Sequence, residues 1–234
     1  MTATDLHDPH RDPHHDPHRD PRSKLDASGP ALTRYDAPGR PRAALLLLHG
    51  GKPRSRRPVD GRSASWRLML GLQQHLAQPA HELGASVWGL RYAARGWNGG
   101  APLADARWAL GALREELGSV PVVLVGHSMG GRVALHVADG PGVVGVVALA
   151  PWVEAGTPVD TLRGRRLVAA HGRRDRITSA RATQAYVDAA SGEAEAAQFI
   201  DMGPLGHYLI RGRDRWREVT RTSALGLVST ALRR

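Results

Sequence analysis

The sequence predicts an α/β fold, a mostly parallel sheet covered by helices on both faces, and two patterns predict it. From about Leu32 onward, short β-branched or leucine-rich runs alternate with longer stretches of helical period. The short runs are nearly continuous in apolar residues, as strands are when both faces are buried. With 234 residues, 41% of them hydrophobic, one domain with a sizeable core is expected.

Taken in order, the chain begins with a different kind of sequence. Asp-Pro units recur every fourth residue from Asp8, Asp12, Asp16 and Asp20. Proline at that spacing forbids helix and ladder alike, and nothing apolar offsets the ordering entropy. Residues 1–30 are therefore expected to be a disordered tail, and 31–234 the folded domain. The tail histidines (His7, His10, His14, His15 and His18) offer loose ligands to a transition metal, but a slipped repeat without a role is the plainer reading. No metal and no cofactor are expected. Strands are predicted over 43–48, 86–91, 120–125, 143–149, 166–170 and 196–201. Between them, Ala106, Ala109, Leu110, Leu113 and Leu117 share one helical face, and Trp216, Val219, Ser223, Leu227 and Ala231 share another.

Composition excludes several function classes. The formal charge of +10 is almost all arginine, Lys24 and Lys52 being the only lysines. No base-reading motif accompanies that charge, so no nucleic-acid partner is expected. No apolar run approaches the length of a membrane span. The N-terminus lacks the basic and apolar regions of a secretory signal. With zero cysteines there are no disulfides, thiolate metal sites or cysteine nucleophile. A cytoplasmic protein is the expectation.

The chemistry is concentrated in VPVVLVGHSMGGRVALHVA, residues 120–138. Gly-x-Ser-x-Gly alone is a weak signal. Here an apolar strand runs into it and a helical period follows, the context a nucleophilic serine on a strained turn requires. Gly126 and Gly130 supply the side-chain-free neighbours, and Gly130, Gly131 and Ala134 let the helix pack closely. A serine hydroxyl needs a base and an orienting acid. His207 lies in a Gly/Pro-rich loop after the last strand, and Asp175 in the loop after the preceding one. Asp201 is a rival acid, and Asp175 has a plainer role as a cap for the segment from Ile177. His127, His171 and His49 are the other histidines near strand ends. Two amides must face the oxyanion. Met129 follows the serine, and His49-Gly50-Gly51-Lys52 follows the first strong strand, with Gly51 the second donor and Lys52 the alternative.

With these pieces in order, the chain resembles the α/β-hydrolase superfamily. The resemblance spans roughly Leu32 to Arg234 and rests on HGG at 49–51, GHSMGG at 126–131, HGRRD at 171–175 and GH at 206–207. Within it the chain is most similar to small, nearly lidless dienelactone-hydrolase-like and serine-aminopeptidase-like (lysophospholipase-like) proteins. The resemblance implies Ser128 as nucleophile, His207 as base, Asp175 as acid and a mostly parallel sheet of about eight strands. It departs in three places. Dienelactone hydrolases carry cysteine where Ser128 stands, Arg91-Tyr92 replaces an aspartate common among relatives, and only residues 151–164 occupy the place of a lid.

The short insertion leaves long acyl chains little wall, so a small or soluble ester or thioester is the expected substrate. Lys52 and the arginines after it, or Arg173, Arg174 and Arg176, offer charge to an anionic substrate group, against the plainer reading of a solvated surface. Trp97 and Trp152 fall on loops at the edge where such folds bind ligands, and are expected to line an acyl pocket. A peptidase acting from a free N-terminus and a non-catalytic binding protein are the alternatives. The first lacks an acidic cluster to grip an ammonium group, and the second would be expected to have lost a triad residue.

Overall fold

The computed structural model describes residues 29–234. The Asp-Pro-His repeat lies outside the described residues. Seven strands form one sheet in the order β1-β3-β2-β4-β5-β6-β7. They are β1 (Ala31–Tyr35), β2 (Ala43–Leu48), β3 (Ala85–Arg91), β4 (Val122–His127), β5 (Val143–Leu149), β6 (Arg166–His171) and β7 (Ala196–Asp201). All pairs are parallel except β1 with β3. The helices are α1 (Ala64–His81), α2 (Ala101–Leu117), α3 (Met129–His136), α4 (Ala180–Ala190) and α5 (Arg213–Leu232).

The apolar runs of β2, β3, β4 and β5 become strands buried on both faces, whereas β7, at the sheet edge, has no buried residue. In β2 every residue is buried, and alternate side chains feed two cores. Ala44, Leu46 and Leu48 pack with the buried sides of α2, α3 and α4. Ala43, Leu45 and Leu47 pack with α1 and α5. Each fully buried leucine contributes about 1.5–3 kcal/mol, so the run is a main stabiliser of the sheet's centre.

Four expectations need correction. The resemblance implied about eight strands and seven are described, because β1 alone forms the antiparallel edge. Strand β4 runs two residues later than predicted. Pro121 has no amide to donate, and the ladder instead continues through Gly126 and His127 against Ala148 and Leu149. In α5 the buried stripe is Trp216, Thr220, Ala224, Leu227 and Val228. It is rotated one position from the expected Val219 and Ser223, because the first step from Trp216 is four residues and not three. Helix α1 and strand β1 were not predicted at all. Gln73, fully buried on α1, ties them together: its side-chain amide donates to the Thr33 and Val87 carbonyls at 3.0 and 2.9 Å, and Thr33 Oγ1 donates to Gln73 Oε1 at 2.7 Å.

The strand order places the site. From β2 the chain crosses to β3 on one side and then back to β4 on the other, so the carboxyl ends of β2 and β4 flank a switch point where such sheets bind ligands. Between β5 and β6 only a single 3-10 turn, Asp160–Leu162, is formed, and among the described residues no lid covers that edge.

Candidate active site

At the end of β4 the chain turns sharply into α3, and Ser128 sits on the turn at φ 56° and ψ −117°. A positive φ is costly for a residue with a Cβ, about 1–3 kcal/mol, and persists only where its surroundings enforce it. Here they do. The Ser128 amide donates to Leu149 O at 3.0 Å, and its carbonyl accepts from Arg132 N at 3.1 Å and Trp152 N at 3.0 Å. A Cβ on Gly126 would strike the Gly130 carbonyl, and one on Gly130 would strike the carbonyls of Leu48 and His49. The two glycines flanking the serine thus allow α3 to start directly against β2.

The loops after β6 and β7 bring two more groups to this edge. His207 Nε2 accepts from Ser128 Oγ at 2.9 Å, while Nδ1 donates to Asp175 Oδ2 at 2.7 Å. Ser128 and His207 are buried, and the Asp175 side chain is fully shielded. Asp175 Oδ2 also accepts from His171 Nε2 at 3.0 Å and Thr178 Oγ1 at 2.8 Å, and Oδ1 accepts the amides of Ile177 and Thr178. Burial pushes this carboxyl up. Hydrogen bonds from His171, His207, Thr178 and Ile177 outweigh burial and hold it well below the usual carboxylate range. Oδ1 thus caps the turn from Ile177 while Oδ2 faces His207. Asp201, the rival acid, pairs instead with Arg173.

His171 and Thr178 were not expected beside Asp175. His171 is a fully buried strand-end residue whose Nδ1 accepts from Thr183 Oγ1 at 2.8 Å, which leaves its Nε2–H for the carboxylate. The four-residue spacing to Asp175 was the available signal. His127, next to the serine, packs on His207 with ring centroids 5.0 Å apart and donates from Nε2 to the His207 carbonyl at 3.0 Å. It therefore braces the loop that carries His207. Burial, then the neighbouring His207, pulls the His127 pKa down to about 4.

On the other side of Ser128 lies the turn after β2. His49 Nδ1 donates to Gly50 O at 2.6 Å and its Nε2 accepts from Tyr92 N at 3.3 Å. Buried between Trp66 and Tyr92, it locks the turn to the end of β3, and burial lowers its pKa to about 4. Gly51 lies so close to the Met129 side chain that a Cβ there would collide with it. Among the described residues neither the Gly51 nor the Met129 amide has a backbone acceptor, whereas Lys52 N donates to Arg95 O at 2.8 Å. That bond occupies the alternative donor.

Arg91, in the place of the relatives' aspartate, is buried and donates to Val59 O at 2.7 Å. Trp97 and Trp152 do come together, with ring centroids 6.3 Å apart, but the Arg132 guanidinium lies 4.1 and 4.5 Å from the two rings. The pair is therefore a cation-bearing wall and not the apolar acyl lining expected of it. Among the described residues no cluster of three His, Asp or Glu is placed to hold a metal ion, and no helix is long and apolar enough to cross a membrane.

A family model described as the alpha/beta hydrolase family matches residues 45–231, and the chain belongs to that family. Solved structures share its fold at low identity. An alpha-beta serine hydrolase homologue from Coxiella burnetii is 17% identical with a TM-score of 0.65, over 83% of this chain and 92% of that one. The esterase domain of a Rhodothermus marinus protein is 16% identical with a TM-score of 0.59, over 87% and 98%. A serine hydrolase without a lid from Xanthomonas campestris is 17% identical with a TM-score of 0.58, over 84% and 94%. No protein of curated function matches the sequence.

Proposed function

We propose that the protein is a serine hydrolase that cleaves a small or soluble carboxylic ester or thioester. The observation that carries this reading is the unbroken chain of hydrogen bonds from Ser128 Oγ through His207 to Asp175, built on a serine held at positive φ. Ser128 Oγ attacks the acyl carbon as His207 Nε2 takes its proton, and Asp175 stabilises the imidazolium so formed. The Met129 and Gly51 amides face the oxyanion. Collapse of the tetrahedral intermediate breaks the bond to the alcohol or thiol, which leaves with the proton from His207. Water, deprotonated by His207, then attacks the acyl-enzyme, and its collapse returns the proton to Ser128 and frees the carboxylic acid. The lidless edge and the esterase domain from Rhodothermus marinus with the same fold support an ester substrate of modest size.

A fluorophosphonate probe tests the reading, together with 4-nitrophenyl esters from acetyl to octanoyl and matching thioesters. Labelling at Ser128, lost in Ser128→Ala, with turnover highest for the shorter acyl groups, is the expected result. A folded chain that no probe labels, not even diisopropyl fluorophosphate, would instead be a binding protein.

The carboxylate's extra donors have their own consequence. Replacing Thr178 by Val, or His171 by Gln, removes one of the donors that fix Asp175 Oδ2 beside His207. The expected result is a fall in kcat of roughly tenfold with KM unchanged, because a displaced base costs the transition state and not substrate binding. Steady-state kinetics on the best ester check it.

A further inference from the structure

We infer that the groove beside Ser128 seats an anionic group of the substrate, a carboxylate or phosphate carried a few bonds from the scissile carbonyl. The inference rests on the hydrolase reading above and names the substrate class for it. The groove has a volume of about 700 Å³ and is bounded by Arg54 and Arg56 after β2, Trp97 after β3, Arg132 on α3, and Trp152 and Glu154 after β5.

Its inner wall hangs on the serine itself, since the Ser128 carbonyl accepts the amides of both Arg132 and Trp152. That wall is electrically balanced. Glu154 pairs through Oε2 with Arg132 at 2.7 Å and accepts through Oε1 from Trp152 Nε1 at 2.8 Å. With both oxygens engaged, Glu154 offers no grip for a substrate ammonium. The Arg132 guanidinium, held over two tryptophan rings, forms a stiff planar surface on which a flat acyl or leaving group can stack.

The outer wall is different. Its backbone is pinned to the loop after β3: Trp97 N donates to Lys52 O at 2.8 Å, Ser55 N to Asn98 Oδ1 at 2.9 Å, Asn98 Nδ2 to Ser55 O at 2.9 Å, and Arg95 N to Arg57 O at 3.0 Å. Gly96 has no room for a side chain against Ser55. Two arginines nearby are neutralised, Arg95 by Asp60 and Arg132 by Glu154, whereas Arg57 on the same loop has no ion-pair partner among the described residues. Among the described residues, the Arg54 and Arg56 guanidiniums have no ion-pair or hydrogen-bond partner. Two like charges are thus held on a fixed loop at the mouth of the cleft, uncompensated, where an anion would receive charge-assisted hydrogen bonds from both. Lys52, expected to share this role, does not line the groove.

The test compares the whole chain with Arg54→Gln/Arg56→Gln on two substrate pairs. One pair puts the charge on the acyl arm, 4-nitrophenyl hemiglutarate against 4-nitrophenyl valerate. The other puts it on the leaving group, 5-butyryloxy-2-nitrobenzoate against 4-nitrophenyl butyrate. The ratio of kcat/KM, anionic over neutral, cancels general damage to the enzyme, and comparing it between the two proteins cancels intrinsic reactivity. That ratio is expected to fall by about tenfold or more in the variant for one pair, which also identifies the arm. Ratios that agree within about twofold for both pairs overturn the inference, since a hydrogen bond between charged groups is worth more than that. If no ester turns over and no probe labels Ser128, the hydrolase reading fails separately. The groove is then judged by quenching of tryptophan fluorescence with 4-nitrobenzoate against 4-nitrobenzyl alcohol. Saturable quenching by the anion alone, lost in the variant, sustains the anion seat, and equal quenching by both sinks it.

Discussion

Ser128→Ala is expected to lower kcat for the best ester by about 10⁴-fold or more, and adding His207→Ala is expected to lower it no further. The reason lies in the geometry. His207 Nε2 has one function at Ser128 Oγ, 2.9 Å away, and without that hydroxyl the base has no proton to take. The residual rate in both single variants would come from the Met129 and Gly51 amides and from substrate placement, which neither substitution touches. The two single variants and the double variant should therefore sit on one floor. Asp175→Asn should fall to a similar level while the fold is kept, because the amide would offer His207 Nδ1–H at best one neutral acceptor in place of a carboxylate. A double variant slower than either single variant by the product of their separate effects would mean that the two groups act independently, and the relay would have to be abandoned. The measurement is single-turnover kinetics on a 4-nitrophenyl ester with each variant's fold checked by circular dichroism.

Much of the fold was legible because burial on both faces writes itself into sequence. Residues 43–48 and 143–149 were bounded correctly from apolar continuity; 196–201 was bounded correctly too, although β7 lies at the sheet edge and has no buried residue. Strand β1 was not, since an antiparallel edge strand needs only one covered face and Ala31–Tyr35 includes an exposed arginine. Helix α1 escaped for a related reason: its buried stripe includes Gln73, whose burial is explained only by partners 40 and 14 residues away. The same limit governs the site. Ser128, Asp175 and His207 announce themselves through the turns they need. His171 and Thr178 do not, because a hydrogen bond to a carboxylate's second face depends on how a strand end and the following loop pack. The tryptophans were placed on the right edge, but what lies between them is set by Arg132, a helix residue whose pattern signals nothing unusual. Sequence thus reveals groups whose local backbone is constrained, and hides groups whose role is made by contact.

Acidification from pH 7 to pH 4.5 is expected to remove several kcal/mol of folding stability, most of it before the carboxylates titrate. His49 and His127 are both buried, and burial drags each from 6.5 to about 4. The hydrogen bonds explain why neither accepts a second proton readily. His49 Nε2 is occupied by the Tyr92 amide, and His127 Nδ1 is buried without a partner, so protonation would place an N–H against a donor in one case and against nothing in the other. The folded pKa lies below the unfolded one, so above about pH 6.5 neither state holds the proton and stability is complete. As pH falls from 6.5 toward 4 the unfolded chain takes up two protons that the folded chain refuses. The slope is then about 2.7 kcal/mol per pH unit, and the sum about 3 kcal/mol for each histidine, a large share of the 5–15 kcal/mol typical of a domain. His75 and His136, also lowered by burial, add to the same sign, whereas Asp105, which burial raises, opposes it nearer the carboxylate range. Asp175 adds little in this window because its unfolded pKa, near 3.8, lies below it, and the stability that comes from its depressed folded pKa is lost only at lower pH. Urea midpoints at pH 7.0, 6.0, 5.0 and 4.5 check the prediction, and His127→Gln should remove about one proton from the slope. A midpoint that stays constant down to pH 5 would mean that His49 and His127 titrate normally, and the braces drawn for the oxyanion turn and the His207 loop would be wrong.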